Sequence, residues 1–232
     1  MRTIAIGDIH GCSKALRSLV DTIAPEPEDR LVFLGDYVDR GPDSRGVIDF
    51  LLELKEQTQV VTLLGNHEIM FRGVLRGLDS ALWLQIGGQP TLASYGGRIE
   101  NVPDSHVAFL EDCVSYHETE HEIFVHANYQ EKLPMTEQPE QALFWDHLSD
   151  RIPEAHQSGK HVYLGHTPQP HGRIGYFGHL TCLDTGCFAG YSLSAIDVNS
   201  QEAWQVSKQG HLRQNWRVFR RAAAILRGLS GQ

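Results

Sequence analysis

The chain has 232 residues, 41% apolar and 21% charged, which is ordinary globular usage and excludes disordered, collagen-like and fibrous classes. Twenty Lys and Arg stand against 29 Asp and Glu, a formal net charge of −9, and an acidic body of this kind excludes a general nucleic-acid binder. No stretch approaches the roughly 20 apolar residues of a membrane span, and Met1 leads almost directly into an apolar run without a signal-peptide layout, so a cytoplasmic chain is expected.

Residues 3–6 form a β-branched apolar run that stops at Gly7-Asp8. Ala15, Leu16, Leu19, Val20 and Ile23 then recur at helical spacing. A second run at 31–34 stops at Gly35-Asp36, and Val47, Ile48, Leu51, Leu52 and Leu54 follow a Ser44 start. A third run at 60–64 stops at Gly65-Asn66. Strands alternating with helices predict βαβ units and a largely buried sheet. Residues 79–115 read as mostly helical, interrupted at Gly87-Gly88 and Gly96-Gly97, as a cap over one end of that sheet. Strand patterning returns at 114–117, 123–125, 161–164, 174–177, 180–183 and 192–198, and the close spacing predicts a second, mainly antiparallel sheet. The expected fold class is α/β, with two packed mixed β-sheets forming a sandwich core flanked by α-helices.

The expected organisation is one domain over 1–206 and a basic tail over 207–232. The tail carries Lys208, Arg213, Arg217, Arg220, Arg221 and Arg227 and no acid. Trp216, Phe219, Ala223 and Leu226 fall at helical spacing, which predicts a terminal helix docked on the acidic body; a membrane-surface or partner-binding helix is the alternative. Cys12, Cys113, Cys182 and Cys187 show no CxxC spacing and are expected as reduced, half-buried thiols, with a Cys182–Cys187 pair the less favoured reading.

Five apolar runs end alike, in Gly7-Asp8-Ile9-His10-Gly11, Gly35-Asp36-Tyr37-Val38-Asp39-Arg40-Gly41, Gly65-Asn66-His67-Glu68, His126-Ala127-Asn128 and Gly165-His166-Thr167-Pro168. One Asp or His after a strand is ordinary turn chemistry. Five such tips side by side bring two Asp, four His and one Asn into the crevice beyond the strands' carboxyl ends. That donor set is oxygen and nitrogen without thiolate, suited to Mn²⁺, Fe or Zn²⁺. His117-Glu118-Thr119-Glu120-His121 matches the zinc-protease string HExxH, but that chemistry needs a helix. The flanking strand patterns predict a hairpin tipped by residues 118–120, with the two histidines on opposing strands.

On GDxHG, GDxxDRG, GNHE, His126-Ala127, Gly165-His166-Thr167-Pro168, Gly87-Gly88 and Leu183-Asp184-Thr185-Gly186, the chain resembles the calcineurin-like metallophosphoesterases over about residues 1–206, and within them the phosphoprotein phosphatases. The resemblance implies two divalent metal ions, Mn²⁺ with Fe or Zn²⁺ as alternatives. Asp8 and His10 would bind the first and Asp36 would bridge both. Asn66, which also borders the phosphate, would complete the second with His126 and His166. A metal-bridging hydroxide would attack phosphorus directly, without a covalent phospho-enzyme. His67 would be the general acid, Asp39 would orient its imidazole, and Arg40 would clamp phosphate with its planar fork. The competing readings are a structural Asp39–Arg40 salt bridge and a supporting role for His67.

The chain departs from the family where a second phosphate-binding arginine usually follows a Trp. Phe144-Trp145-Asp146-His147 places His147 there, with Arg151 four residues on as a substitute. Glu68 reads as a helix N-terminal acid, and Asp184 and Gly186 as turn-shaping. Pro168 stands where phosphodiesterase branches often carry a second histidine, which favours a phosphomonoesterase. The implied activity is hydrolysis of phosphate monoesters, phospho-Ser/Thr and also phospho-Tyr in proteins. A phosphorylated protein or small phosphomonoester is the expected partner, and no nucleic acid. The alternatives are a catalytically silent metal-holding module and a symmetrical diadenosine-tetraphosphate hydrolase, a related layout whose second motif lacks the acid found here at Asp39.

Overall fold

A computed structural model of the chain describes residues 1–217. In chain order the elements are β1 (Thr3–Ile6), α1 (Ser13–Ile23), β2 (Arg30–Phe33), α2 (Ser44–Lys55), β3 (Gln59–Thr62), α3 (Asn66–Leu75), α4 (Ala81–Trp83), α5 (Gln89–Ser94), α6 (Asp104–Glu111), β4 (Tyr116–Glu118), β5 (Glu122–Val125), α7 (Glu140–Phe144), β6 (His161–Leu164), β7 (Gly175–Tyr176), β8 (Leu180–Cys182), β9 (Ser192–Asp197), β10 (Glu202–Ser207) and β11 (Leu212–Arg217). They build two mixed sheets, one ordered β11-β10-β9-β1-β2-β3 and the other β4-β5-β6-β8-β7.

Alternation along each central strand serves two cores at once. Ala5, Val32, Phe124, Tyr163, Leu183 and Ile196 meet between the sheets, and the Phe124 and Tyr163 rings stack at 5.5 Å. Ile4, Ile6, Leu31 and Phe33 of the first sheet, and Ile123 and Val162 of the second, fall instead in a core shared with the helices, which includes Leu16 and Leu19 of α1 and Ile48 and Leu51 of α2. A strand buried on both faces reads as a continuous apolar run, the pattern of β1 and β2. At one edge the sheets adjoin through the Leu63–Val114 bridge.

Two expectations are corrected here. The second sheet is not mainly antiparallel: β5 pairs β6 and β6 pairs β8 in parallel, with antiparallel strands β4 and β7 at its edges. Residues 126–160 separate β5 from β6, long enough for the crossover that parallel pairing requires. Residues 192–197 leave that sheet altogether. As β9 they pair β1, with Ile4 opposite Asp197, because a strand with all six residues buried needs partners on both sides.

The tail also departs from its reading. Trp216 lies on β11, opposite Ala203 of β10, and not on a helix. The β10–β11 turn contains Gly210 at a φ of +91°, which lets the chain reverse and satisfy the backbone groups of β10's outer side. Phe219, Arg220, Arg221, Ala223, Leu226 and Arg227 lie outside the described residues. All four cysteines are free and buried rather than half-buried, and Cys182 and Cys187 are unpaired. His117 lies on β4, while His121 is exposed in the turn before β5, so the HExxH string forms no helical face. Among the described residues no helix is long and apolar enough to cross a membrane.

Asp29 ties the start of β1 to the start of β2. Its carboxylate accepts the Arg2 backbone N–H at 2.6 Å, the Arg2 guanidinium at 2.9 and 2.6 Å, and the Glu26 N–H at 3.0 Å. Burial opposes its charge, but these donors outweigh it and hold its pKa at about 2. A depressed carboxyl stabilises the fold above its unfolded pKa of about 4 and loses that contribution as pH falls toward the folded value. Asp29→Asn is therefore expected to cost roughly 1–2 kcal/mol at neutral pH, with the gap to wild type narrowing in acid. Urea unfolding of both proteins in chelator, at neutral pH and near pH ~3, checks this.

Candidate metal centre

The strand tips converge as the spacing predicts. After β1 the backbone turns at His10 (φ 45°), after β2 at Asp36 (52°), Asp39 (71°) and Arg40 (65°), and after β6 at His166 (63°). Each is a non-glycine residue in the left-handed region, at a cost of roughly 1–3 kcal/mol when nothing supports it. The support is a lattice of backbone bonds. The Ile9 and His10 N–H groups both donate to the Asp36 carbonyl, at 3.1 and 2.8 Å, and Gly11 N–H donates to the Tyr37 carbonyl at 2.8 Å. Gly65 is required at its position because a Cβ there would strike the Asp36 carboxylate and backbone.

Two groups of buried donors result. One is His10, Asp36 and His67; the other is Asp36, His126 and His166, each set with ligand atoms within 4.8 Å of one another. Asp36 belongs to both. Its Oδ2 lies 3.4 Å from His10 Nε2 and its Oδ1 lies 3.4 Å from His126 Nε2. Asn66 Oδ1 lies 3.1 Å from His126 Nε2 and 3.1 Å from His166 Nδ1.

The protons are already committed elsewhere. His10 Nδ1 donates to the Val38 carbonyl at 2.9 Å, His126 Nδ1 to the Leu34 carbonyl at 2.7 Å, and His166 Nε2 to the Trp145 carbonyl at 3.3 Å. In each ring the other nitrogen is then a lone pair facing the centre. Burial lowers the pKa of His10 and His166 to about 3 and lowers that of His126, so these rings stay neutral. Burial alone would raise Asp36, but His126, His67, His10 and His166 around it hold its carboxyl well below the ordinary range.

The donor set fits divalent cations. Around Asn66 and Asp36, acceptors face acceptors at close range, an arrangement that a positive ion between them relieves. Asp8, Asp36 and Asp184 are all buried, and the Asp184 Oδ2 has no hydrogen-bond partner. Burial, then Asp184 and Asp36, raise the pKa of Asp8 well above normal, the mark of carboxyls gathered without a compensating cation. Nitrogen and oxygen donors without thiolate suit Mn²⁺, Fe or Zn²⁺.

Not every expected residue joins the centre in the same way. Asp8 is outside both donor groups, and its two oxygens accept the His166 N–H at 3.2 and 3.0 Å. His67 is inside the first group, yet its Nδ1 bonds Asp39 Oδ2 at 2.7 Å. Burial opposes a charge on His67, but Asp36 and the Asp39 hydrogen bond prevail and raise its pKa. Asp39 therefore pairs with His67 and not with Arg40. The Arg40 guanidinium donates to His10 Nε2 at 2.9 Å and lies 4.7 Å over the Phe188 ring. His147 packs on His166 with ring centroids 4.3 Å apart. The Arg151 side chain is 58% exposed and pairs with Glu131 at 2.6 Å.

Sequence reasoning passed over Trp83, Thr91 and Phe188. Trp83 Nε1 and Thr91 Oγ1 both donate to the Asp39 carboxylate, and Phe188 lies edge-on to His10 at 5.1 Å. An indole shortly before Gly87-Gly88 was the available signal for the first; nothing local to residue 188 marks the last.

Two sheets with a buried, two-part nitrogen and oxygen centre at their strand tips define a metallophosphoesterase fold. The chain belongs to the calcineurin-like phosphoesterase family, whose model matches residues 1–193, and is accordingly a hydrolase. Over 79 residues it is 44% identical to the symmetrical bis(5'-nucleosyl)-tetraphosphatase of Erwinia tasmaniensis, a match covering 34% of this chain and 28% of that protein. The chain thus matches little more than a quarter of that relative's length. A solved structure assigned provisionally as a diadenosine tetraphosphatase superposes with a TM-score of 0.69 at 22% identity, covering 88% of this chain and 92% of the other. The cold-active protein-tyrosine phosphatase of a psychrophilic Shewanella superposes with a TM-score of 0.65 at 16% identity, covering 91% and 79%. At these identities the two structures bear on the fold alone.

Because Asp36 reaches into both donor groups, Asp36→Asn is expected to lower the metal content of the chain well below that of wild type. Elemental analysis after dialysis against Mn²⁺ or Zn²⁺ checks this, and full two-ion occupancy would contradict a bridging role.

Proposed function

We propose that this chain hydrolyses phosphate monoesters, with phosphorylated proteins as the substrate class, at a centre of two divalent ions. The observation that carries the reading is the buried Asp39–His67 pair at 2.7 Å. His10, Asp36, Asn66, His126 and His166 would hold the ions, with Asp8 beside His10 as a further carboxylate. When bound, the ions supply Lewis-acid charge for the phosphoryl oxygens and make water acidic enough to attack at neutral pH.

The remaining work falls to side chains. With Nδ1–H donated to Asp39, a protonated His67 carries its mobile proton on Nε2. That nitrogen delivers the proton to the departing ester oxygen, the step that matters most when the leaving group is a serine or threonine alkoxide. Arg40 binds two phosphate oxygens through its planar fork. In the structure it donates to His10 Nε2, a residue that would hold an ion, and with His10 so engaged the guanidinium would be free for substrate. Asn66 and His147 border the same space, and His147 stands in for the family's second phosphate-binding arginine, Arg151 being turned to Glu131.

A second reading is favoured by the local 44% identity to a symmetrical bis(5'-nucleosyl)-tetraphosphatase. In that reading the same centre cleaves a dinucleoside polyphosphate. The Asp39 carboxylate on His67 favours the first, since the departing group of a polyphosphate is a weakly basic phosphate that needs little protonation.

His67→Asn is expected to lower kcat on a phosphoserine peptide by about 10²–10⁴ while leaving metal content unchanged. Turnover equal to wild type would remove His67 from the mechanism. Parallel assays of the metal-loaded protein on that peptide and on diadenosine tetraphosphate decide between the readings, and a higher kcat/KM on the dinucleotide would select the second.

A further inference from the structure

Asp39 is fully buried, and every group bonded to its carboxylate is a donor. His67 Nδ1 lies at 2.7 Å. Trp83 Nε1 lies 3.0 and 2.9 Å from the two oxygens, and Thr91 Oγ1 donates to Oδ1 at 2.8 Å. The Asp39 backbone N–H in turn donates to Thr91 Oγ1 at 2.8 Å and Ser44 Oγ at 3.1 Å, and the two hydroxyls lie 2.7 Å apart. Thr91 thus grips both the backbone and the side chain of one residue.

Trp83 and Thr91 come from the helical insertion, on either side of a π-turn at Leu84–Gly88. Two glycines set how the insertion packs, Gly87 against the second motif and Gly88 against the insertion's own Trp83. Gly87 accepts the Arg40 N–H at 2.9 Å, and a Cβ on it would meet Arg40 Cγ at 2.8 Å. A Cβ on Gly88 would strike the Trp83 indole, whose ring stacks on Phe71 at 5.2 Å with planes 15° apart. The insertion is anchored to the loop that carries Asp39, and it spends two hydrogen-bond donors on that side chain.

We propose that Trp83 and Thr91 are positioning residues for His67: by fixing the Asp39 carboxylate as an acceptor, they hold the His67 imidazole and its Nδ1 proton in the orientation that serves the leaving group. The inference rests on the general-acid reading of His67 and deepens it. Without these donors the carboxylate turns about its own axis and the imidazole follows. The loss then falls on proton delivery and not on phosphate binding, which belongs to other residues.

The test compares p-nitrophenyl phosphate, whose nitrophenolate departs without help, with phenyl phosphate, whose phenolate needs a proton. Thr91→Val keeps the side-chain shape and removes the donor. It is expected to lower kcat on phenyl phosphate about tenfold and on p-nitrophenyl phosphate less than about threefold, with KM within about twofold. Thr91→Ser returns the hydroxyl and is expected to restore the rate. Trp83→Phe should repeat the selective loss; Thr91→Val carries the test if the indole is needed for folding. In the zinc-loaded protein, the low-field proton resonance of His67 Nδ1 is expected to move upfield in Thr91→Val, a readout independent of turnover. Equal fractional losses on the two esters in Thr91→Val, or an unmoved resonance, would overturn the proposal. His67→Asn keeps the two inferences apart. Equal losses in that variant defeat the general acid itself, whereas selective loss in His67→Asn without selectivity in Thr91→Val defeats only the positioning role.

Discussion

The centre depends on one carboxylate that belongs to no donor group. Glu68, on the first turn of α3, accepts the backbone N–H groups of Asp36 and Tyr37 at 2.8 Å each, Val38 at 3.2 Å and Gly65 at 3.1 Å. Those four bonds draw the loop after β2 onto the start of α3, so that Asp36, Asn66 and His67 arrive together. A helix-terminal acid stabilises its own helix; here the same side chain also satisfies three donors of a distant loop that has no sheet or helix partner for them. Without an acceptor there, a buried loop of this shape would leave its N–H groups orphaned, at a few kcal/mol.

The loop in turn sets the electrostatics. It holds two acids in the left-handed region, Asp36 toward the histidines of both donor groups and Asp39 toward His67. The same buried negative charge thus has two uses. Around Asp36 it meets one hydrogen-bond donor, the His67 backbone N–H at 3.2 Å, and otherwise faces imidazole nitrogens, while around Asp39 it is saturated by donors. That contrast, and not burial, distinguishes the surroundings of Asp36 from those of Asp39.

Much of this was legible in the residues. The first sheet's parallel strands, α1, α2 and the convergence of five strand tips follow from short apolar runs ending in Gly and polar residues, because a strand buried on both faces and a sharp turn beyond it leave few other sequences. The partner of His67 was legible only through resemblance, since Asp39 and Arg40 are adjacent in sequence and equally able to pair with each other. Sheet membership of residues 192–197 was not legible: β9 reads like any buried strand, and its neighbour is decided by β1, at the far end of the chain. Trp216 misled because a spacing that extends past residue 217 fits a helix, while its strand pairing to Ala203 is a tertiary choice. Thr91 escaped notice because a hydroxyl inside a helix carries no signature of what it bonds.

The position of β1 at the middle of its sheet, between β2 and β9, governs the order in which this molecule assembles during translation. The first three motifs emerge early and pair β1 with β2 and β2 with β3, yet one flank of β1 stays open, with its N–H and C=O groups unpaired, until residues 192–197 leave the ribosome. His166 also arrives late, so a nascent chain holds one half of the donor set long before the other. Such long-range closure is slow, and it leaves the partly synthesised chain with an unpaired, aggregation-prone strand edge in the middle of its future sheet.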